Sequence, residues 1–192
     1  MLGPLGTPSH IERFGTCVLV AGGIGAAIVL PVAEALAEAG YVAIGIVGVR
    51  DSEHLVLLDE MRAACNEVIV TTDDGSEGLH GLVTDALVTL MAETAIDYVF
   101  TAGPIPMMQA VAERTRQDAI ATVASLNPLM VDGTGRCGGC RVTINGASKF
   151  ACIDGPEIDA HDVNFALLGT RTGAYLSFES CKLDEAVEAL DA

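Results

Sequence analysis

Short runs of β-branched and apolar residues alternate, from residue 14 to residue 127, with longer stretches whose apolar positions recur every three or four residues. The short runs are typical of buried parallel strands and the longer stretches of amphipathic helices. The alternation therefore predicts an α/β fold with right-handed crossovers and a doubly wound, five-stranded parallel sheet. The predicted strands are 16–21, 42–48, 67–71, 97–102 and 120–125, and the predicted helices are 28–39, 54–64, 80–93 and 106–116.

A glycine-rich turn follows the first predicted strand, where sheets of this kind bind their ligands. Gly22, Gly23 and Gly25 would allow a pyrophosphate to approach the backbone and the amino end of the next helix. Ile28 stands where the third glycine of Gly-x-Gly-x-x-Gly would be, so the motif is incomplete. The turn is interpreted either as a dinucleotide-binding loop or as tight packing alone.

Charged residues follow the second and third strands. Arg50 would favour a 2′-phosphate and therefore NADP, but Asp51 beside it leaves the choice between NAD and NADP open, and Arg50 could equally be an exposed loop residue. Asp73 and Asp74 either contact the nucleotide or only build a turn with the glycine that follows.

Three of the six cysteines lie between residues 132 and 152. Cys137 and Cys140 are two residues apart in a glycine-rich loop, and Asn145-Gly146 predicts a two-residue hairpin turn that returns Cys152 to Cys140. Asp132 precedes Cys137 by the spacing that separates the first two cysteines of plant-type [2Fe–2S] sites. The spacing predicts a [2Fe–2S] cluster with one carboxylate and three thiolate ligands.

Other readings of these residues stay open. Asp132 could merely cap a turn, and the cysteines could hold zinc, although zinc sites usually have two Cys-x2-Cys pairs or histidines at fixed offsets. Cys181 is a rival fourth ligand, but no spacing brings it back to the others. Cys17 lies in a predicted apolar strand and is expected in the core, whereas Cys65 ends a helical pattern and is expected to be inert.

The segment Val131–Pro156, with Cys-Gly-Gly-Cys-Arg-Val-Thr and Phe-Ala-Cys-Ile-Asp-Gly-Pro, resembles the ferredoxin:NADP oxidoreductase alpha subunits, also called sulfide dehydrogenase subunits. These are related to the dihydroorotate dehydrogenase electron-transfer subunit. The resemblance extends from Leu2 to about Phe165. It implies Asp132 as the fourth ligand, where the dihydroorotate relatives look four-cysteine. It also places Gly103 and Pro104 beside nicotinamide and flavin.

Family members carry an FAD-binding barrel ahead of this region, and the present chain resembles the part after it. A nicotinamide gives up two electrons as hydride whereas the cluster accepts one, so a flavin has to stand between them. We expect a partner chain to supply that FAD, unless the chain is a truncated form or a degenerate subunit. The expected function is that of an electron-transfer subunit of an oxidoreductase complex. Electron-bifurcating complexes are among the settings in which such a subunit would work. The chain alone is expected not to turn over. The alternatives are a dihydroorotate dehydrogenase subunit and a non-catalytic, zinc-stabilised nucleotide-binding scaffold.

Composition narrows these expectations. The chain has 192 residues and a net charge of −16, which disfavours nucleic acid and anionic membranes as partners. The apolar run 16–33 contains three glycines and a proline, so it does not predict a membrane span. The clustered cysteines favour a reducing, cytoplasmic setting. The predicted organisation is a lead-in (1–13), an NAD(P)-binding domain (14–127), a cluster module (128–165) and a tail (166–192) with a short helix at 183–190.

Overall fold

The computed structural model describes residues 3, 5–11 and 15–174. The strands are β1 (Thr16–Gly22), β2 (Val42–Val49), β3 (Glu67–Thr72), β4 (Leu79–His80), β5 (Tyr98–Ala102), β6 (Ala121–Ser125), β7 (Arg141–Ile144), β8 (Ala147–Phe150) and β9 (Glu157–Asp159). The helices are α1 (Ala26–Glu38), α2 (Leu58–Ala64), α3 (Val83–Glu93), α4 (Ile105–Arg116), α5 (Ala151–Asp154) and α6 (Phe165–Gly173). Short 3₁₀ turns lie at Gly23–Gly25, Ser52–His54 and Ala160–Asp162.

A seven-stranded sheet with the order β4-β3-β2-β1-β5-β6-β9 forms the centre of the molecule. The five predicted strands are β1, β2, β3, β5 and β6, and all of them pair in parallel, which confirms the predicted fold class. The strand order reverses between β1 and β5, where sheets of this type form a ligand crevice. Two short edge strands were not predicted: β4 continues the parallel pairing, whereas β9 is antiparallel to β6.

Helices cover both faces of the sheet. Alternate residues of β1 point to opposite faces, so Cys17 and Leu19 pack with α1 and α2, whereas Val18 and Val20 pack with α3 and α4. Leu19 and Phe100 are fully buried, and burial of one such side chain stabilises the fold by roughly 1.5–3 kcal/mol.

Two predicted helices begin later than expected. The predicted helix 54–64 starts at Leu58, because Asp51 caps a separate turn at Ser52–His54 and Leu57 takes a left-handed φ of 56°. The predicted helix 80–93 starts at Val83, because His80 pairs with Thr72 in the sheet.

Residues 128–165, which include Cys137, Cys140 and Cys152, are called the cysteine segment. This segment leaves the main sheet, forms a two-stranded hairpin and then returns to the sheet. Asn145 and Gly146 both have positive φ, 48° and 76°, as a two-residue turn between twisted strands requires. The predicted hairpin is thus present, formed by β7 and β8. At its open end the Ala151 amide donates to the Cys140 carbonyl at 3.0 Å.

The cysteine segment and the α/β sheet share one apolar core. Met108 and Ala112 of α4 and Ala124 of β6 pack with Cys140 and Cys152. Side chains of α6 complete this core. The predicted divisions at 127 and 165 stay predictions, and in the structure side chains from both sides of each division meet in this core.

Part of the predicted lead-in lies along the cysteine segment. The Thr7 amide donates to the Gly155 carbonyl at 2.7 Å, and the Ser9 hydroxyl donates to the Glu157 carboxylate. The predicted helix at 183–190 and Cys181 lie outside the described residues. Within the described part of the chain, no helix has both the length and the apolar character needed to cross a membrane.

Candidate nucleotide cavity and cluster loop

A cavity of about 550 Å³ opens at the carboxyl ends of β1, β2, β3 and β5. It spans the point where the strand order reverses, and the first turns of α3 and α4 form its other wall. Five of the predicted nucleotide-contacting residues line it: Gly22, Gly23, Arg50, Asp73 and Pro104. The structure thus brings residues of four separate loops together at one crevice.

The remaining predicted glycines pack loop against loop rather than line the cavity. A Cβ atom on Gly25 would lie 2.1 Å from the Ala102 carbonyl oxygen, and one on Gly103 would lie 3.0 Å from the Gly22 Cα. Gly22 itself is pressed against Met107, whose sulfur would lie 2.5 Å from an added Cβ. The absence of side chains therefore allows the β1 and β5 loops to touch, which shapes the cavity floor.

Arg50 is held at the cavity wall by a chain of polar contacts. Its Nη2 lies 3.4 Å from His54 Nε2, and His54 Nδ1 lies 2.7 Å from Asp51 Oδ1. Asp51 also accepts from the Glu53 amide at 3.0 Å. The hydrogen bond from His54 is the main cause that lowers the pKa of Asp51. The Asp51 carboxylate is therefore occupied by its own loop.

Asp74 has a structural position at the cavity rim. Its Oδ1 accepts from the Ser76 hydroxyl at 2.6 Å and the Ser76 amide at 2.9 Å, and these bonds lower its pKa. The Ser76 hydroxyl oxygen in turn accepts from the Ser52 amide at 2.8 Å. Asp74 thus ties the loop after β3 to the loop after β2, while Asp73 faces the cavity.

Sequence reasoning missed much of the apolar wall. Met107 lines the cavity, whereas its neighbour Met108 is fully buried. The first-turn position of Met107 in α4 was the available signal, since helices after parallel strands begin at the ligand edge. The other lining residues that were not predicted include His54, Leu82, Val83, Thr84, Pro106 and Ala110.

The hairpin brings two of the predicted cluster ligands into direct contact. The sulfur atoms of Cys140 and Cys152 lie 3.1 Å apart, and the two residues are 1% and 5% exposed. The hydrogen bond between the Cys140 and Cys152 side chains, and then burial, raise the pKa of the Cys152 thiol. The Gly135 amide donates to the Cys152 sulfur and opposes this shift. The fold therefore holds the Cys140 and Cys152 sulfur atoms next to each other.

Asp132 and Cys137 form the outer part of the same loop. Asp132 accepts from the Thr134 amide at 2.7 Å through Oδ1 and from the Cys137 amide at 2.8 Å through Oδ2, which lowers its pKa. Cys137 is exposed, and its sulfur accepts from the Gly139 amide at 3.4 Å. The carboxylate thus caps the turn that presents Cys137.

Within residues 5–11 and 15–174, no three Cys, His, Asp or Glu side chains converge closely enough to hold a metal ion. The four-ligand sphere therefore stays a prediction, and the structure brings together only the pair Cys140 and Cys152. The donor set still fits an iron–sulfur cluster, because thiolates are its usual ligands and backbone amides already point at the sulfurs of Cys137 and Cys152.

Apolar side chains surround the loop on its solvent side. A Cβ on Gly133 would lie 2.7 Å from Leu5 Cδ1, and one on Gly135 would lie 2.3 Å from Ile153 Cδ1. The exposed members of this apolar rim are Leu5, Leu129, Met130, Val131 and Ile153, with exposures of 41–73%.

The other candidate residues, Cys17, Cys65 and His161, have structural roles. Cys17 is buried as expected, Cys65 is buried as well, and burial raises the pKa of each thiol to about 11. His161 Nε2 lies 3.0 Å from the Thr115 hydroxyl, so it joins the cysteine segment to α4 rather than facing the loop.

Comparisons with known proteins agree with this geometry. Residues 127–164 match a sequence profile of the iron–sulfur cluster binding domain of dihydroorotate dehydrogenase B. A dihydroorotate dehydrogenase B electron-transfer subunit homolog from Thermotoga maritima is 43% identical over 175 residues, 91% of this chain and 62% of that protein. The corresponding subunit from Bacillus caldolyticus is 34% identical, over 85% of this chain and 64% of that protein. The chain thus spans less than two thirds of each of these relatives.

A solved structure covers nearly all of the chain. It is that of the NADH-dependent reduced ferredoxin–NADP oxidoreductase, described in connection with flavin-based electron bifurcation. The match has a TM-score of 0.88 and 41% identity, over 97% of this chain and 67% of the other. These findings confirm the resemblance carried by Val131–Pro156. The chain belongs to the family of this ferredoxin–NADP oxidoreductase chain and is similar to the dihydroorotate dehydrogenase B electron-transfer subunits.

Proposed function

We propose that this chain is an electron-transfer subunit of an NAD(P)H-dependent oxidoreductase complex. The observation that supports this most directly is the position of α4. Met107 at its first turn lines the nucleotide cavity, and Met108 and Ala112 pack in the core that holds Cys140 and Cys152. A single helix thus links a nucleotide-sized crevice to a thiol pair inside an iron–sulfur domain.

The proposed cofactor of the loop is a [2Fe–2S] cluster held by Asp132, Cys137, Cys140 and Cys152. When bound, such a cluster exchanges one electron at a time. The contact between Cys140 and Cys152 supports their acting together as ligands of that cluster. Asp132 and Cys137 of the same loop would supply the other two ligands. An oxygen ligand donates less electron density than a thiolate, so it should raise the cluster potential above that of a four-cysteine site.

NAD(P)H is the proposed ligand of the cavity. The backbone of Gly22 and Gly23 would receive the pyrophosphate at the amino end of α1, while Pro104 and Met107 would border the nicotinamide. Arg50 provides a positive charge at the cavity wall. The choice between NAD and NADP stays open.

A flavin must join the two sites, because hydride carries two electrons and the cluster accepts one. The curated relatives are longer than this chain. We propose that FAD is bound by a further domain or a partner chain in the cytoplasm. The apolar rim around the cluster loop is the proposed contact surface for that redox partner, because exposed apolar patches of this kind mark protein interfaces.

Metal analysis of the purified chain tests the cluster directly. We expect about two irons and two acid-labile sulfides per chain with a red-brown colour, loss of both in Cys140→Ser, and retention of both in the matched control Cys65→Ser. Stoichiometric zinc without sulfide would contradict the proposal and favour the zinc-stabilised scaffold.

Nucleotide binding is tested separately by calorimetric titration with NAD⁺, NADP⁺ and their reduced forms. We expect binding without turnover until a flavoprotein partner is added. Tightly bound FAD in the isolated chain would contradict the partner-flavin part of the proposal.

The second candidate function is that of a dihydroorotate dehydrogenase electron-transfer subunit, favoured by the 43% identical homolog. Its test is affinity purification from the native cell. Co-purification of a dihydroorotate-oxidising chain would favour this candidate, and co-purification of a ferredoxin- or NADP-linked flavoprotein would favour the first.

A further inference from the structure

Arg141 lies against the loop that carries the proposed cluster ligands. It is the cross-strand neighbour of Phe150, and its guanidinium carbon lies 5.7 Å from the centre of the Phe150 ring. Its Nη2 lies 3.5 Å from the point that a Cβ on Gly138 would occupy. Since Gly138 stands between Cys137 and Cys140, the charge is held over the ligand loop by a ring on one side and a bare backbone on the other.

The other basic residue of the hairpin is neutralised. Lys149 Nζ lies 3.5 Å from Asp154 Oδ1. By contrast, no carboxylate in the described part of the chain lies within ion-pair distance of Arg141. Arg141 is therefore a fixed, uncompensated positive charge beside the loop of a chain whose net charge is −16.

A cluster held by one carboxylate and three thiolates is anionic, and reduction adds a further negative charge. A nearby positive charge lowers the free energy of the reduced form more than that of the oxidised form. Arginine keeps its charge at any accessible pH, so this effect does not titrate.

We propose that Arg141 sets the reduction potential of the cluster by stabilising its reduced state. This inference rests on the proposed cluster function. Arg141 would not bind the metal; it would act through the field at the loop and through its stacked position on Phe150. Its removal should leave the ligands in place and make the cluster harder to reduce.

The test is a potentiometric titration of the cluster-loaded chain. The electron paramagnetic resonance signal of the reduced cluster monitors the titration. We expect Arg141→Gln to shift the midpoint potential to a more negative value, and Arg141→Lys to restore most of the shift. The difference between wild type and Arg141→Gln should shrink as salt concentration rises, because exposed charges are screened.

Two control variants separate this role from others. Arg62→Gln removes a positive charge from α2, remote from the loop, and should leave the potential unchanged. Arg136→Gln removes a cation next to Cys137 that makes no ring or ion-pair contact among the described residues, and should shift the potential less than Arg141→Gln.

The outcomes are distinguishable from failure of the proposed function. If no iron and sulfide are found in wild type, the cluster itself is absent. If the cluster forms but Arg141→Gln titrates as wild type does, or if Arg136→Gln shifts the potential as much, the role assigned to Arg141 is wrong. Loss of stability in Arg141→Gln with an unchanged potential would assign it a structural role only.

Discussion

The two glycines that follow β1 should respond very differently to the same substitution. A methyl group on Gly25 would lie 2.1 Å from the Ala102 carbonyl oxygen and 2.7 Å from its carbon, both main-chain atoms that cannot rotate away. On Gly23 the same methyl group would meet nothing within 4 Å, although the residue has a φ of +55°. Gly25→Ala therefore tests packing, and Gly23→Ala tests access to the cavity.

The magnitudes follow from these contacts. Relieving the clash at Gly25 requires the α1 loop to move from the end of β5, and overpacking of this kind costs roughly 1–3 kcal/mol. At Gly23 the cost is the left-handed backbone of a residue with a Cβ, about 1 kcal/mol. With a urea m-value of roughly 2 kcal/mol/M, we expect midpoints lowered by about 1 M for Gly25→Ala and about 0.5 M for Gly23→Ala.

The affinity for NAD(P)H should show the opposite contrast between the two glycines. Gly23 lines the cavity, so its methyl group would stand where the pyrophosphate approaches, and we expect NAD(P)H affinity to fall about tenfold in a stable protein. Urea titrations and calorimetric nucleotide titrations on both variants measure the two effects. Wild-type stability in Gly25→Ala together with wild-type affinity in Gly23→Ala would refute the assignment of both glycines.

Two further predictions concern single buried groups. The Thr101 hydroxyl is buried and makes no hydrogen bond to any described residue, so Thr101→Val should raise the free energy of unfolding by about 1 kcal/mol; Thr122→Val, which removes a hydroxyl that donates to a neighbouring carbonyl at 2.9 Å, should lower it by a similar amount, and equal signs in urea titrations would contradict this. In cluster-free protein at pH 8, mass spectrometry should find Cys137 alkylated before Cys17 and Cys65, because a pKa of about 11 leaves only roughly one thiol in a thousand ionised. Early alkylation of either buried thiol would show that its burial is wrong.

The parallel centre of the sheet was predictable because each of its strands is an apolar run bounded by turn residues. Strand β4 was not, since Leu79 and His80 are too few to show a period. Strand β9 was not, because its three residues are polar or partly exposed and its pairing with β6 depends on where the hairpin places them. The start of α2 depended on the left-handed backbone of Leu57, a conformation that its residue type disfavours.

The candidate sites also have parts that the sequence predicts and parts that it does not. Asn145-Gly146 predicted the return of Cys152 to Cys140 because a local turn determines that contact. The cavity wall around Met107 was missed because it forms only when α3 and α4 are packed on one face of the sheet. Asp132 remains a prediction as a ligand: its spacing from Cys137 suits a cluster, while its hydrogen bonds are those of a turn cap.

Strand β9, which belongs to the cysteine segment, also protects an edge of the main sheet. Its antiparallel pairing covers the outer edge of β6, whose amides and carbonyls would otherwise offer a template for strands from another copy. Because β9 follows directly from the segment that ends at Cys152, loosening of that segment would uncover the edge. Self-association of the cluster-depleted protein should therefore begin here, and solubility becomes a measure of cofactor loading.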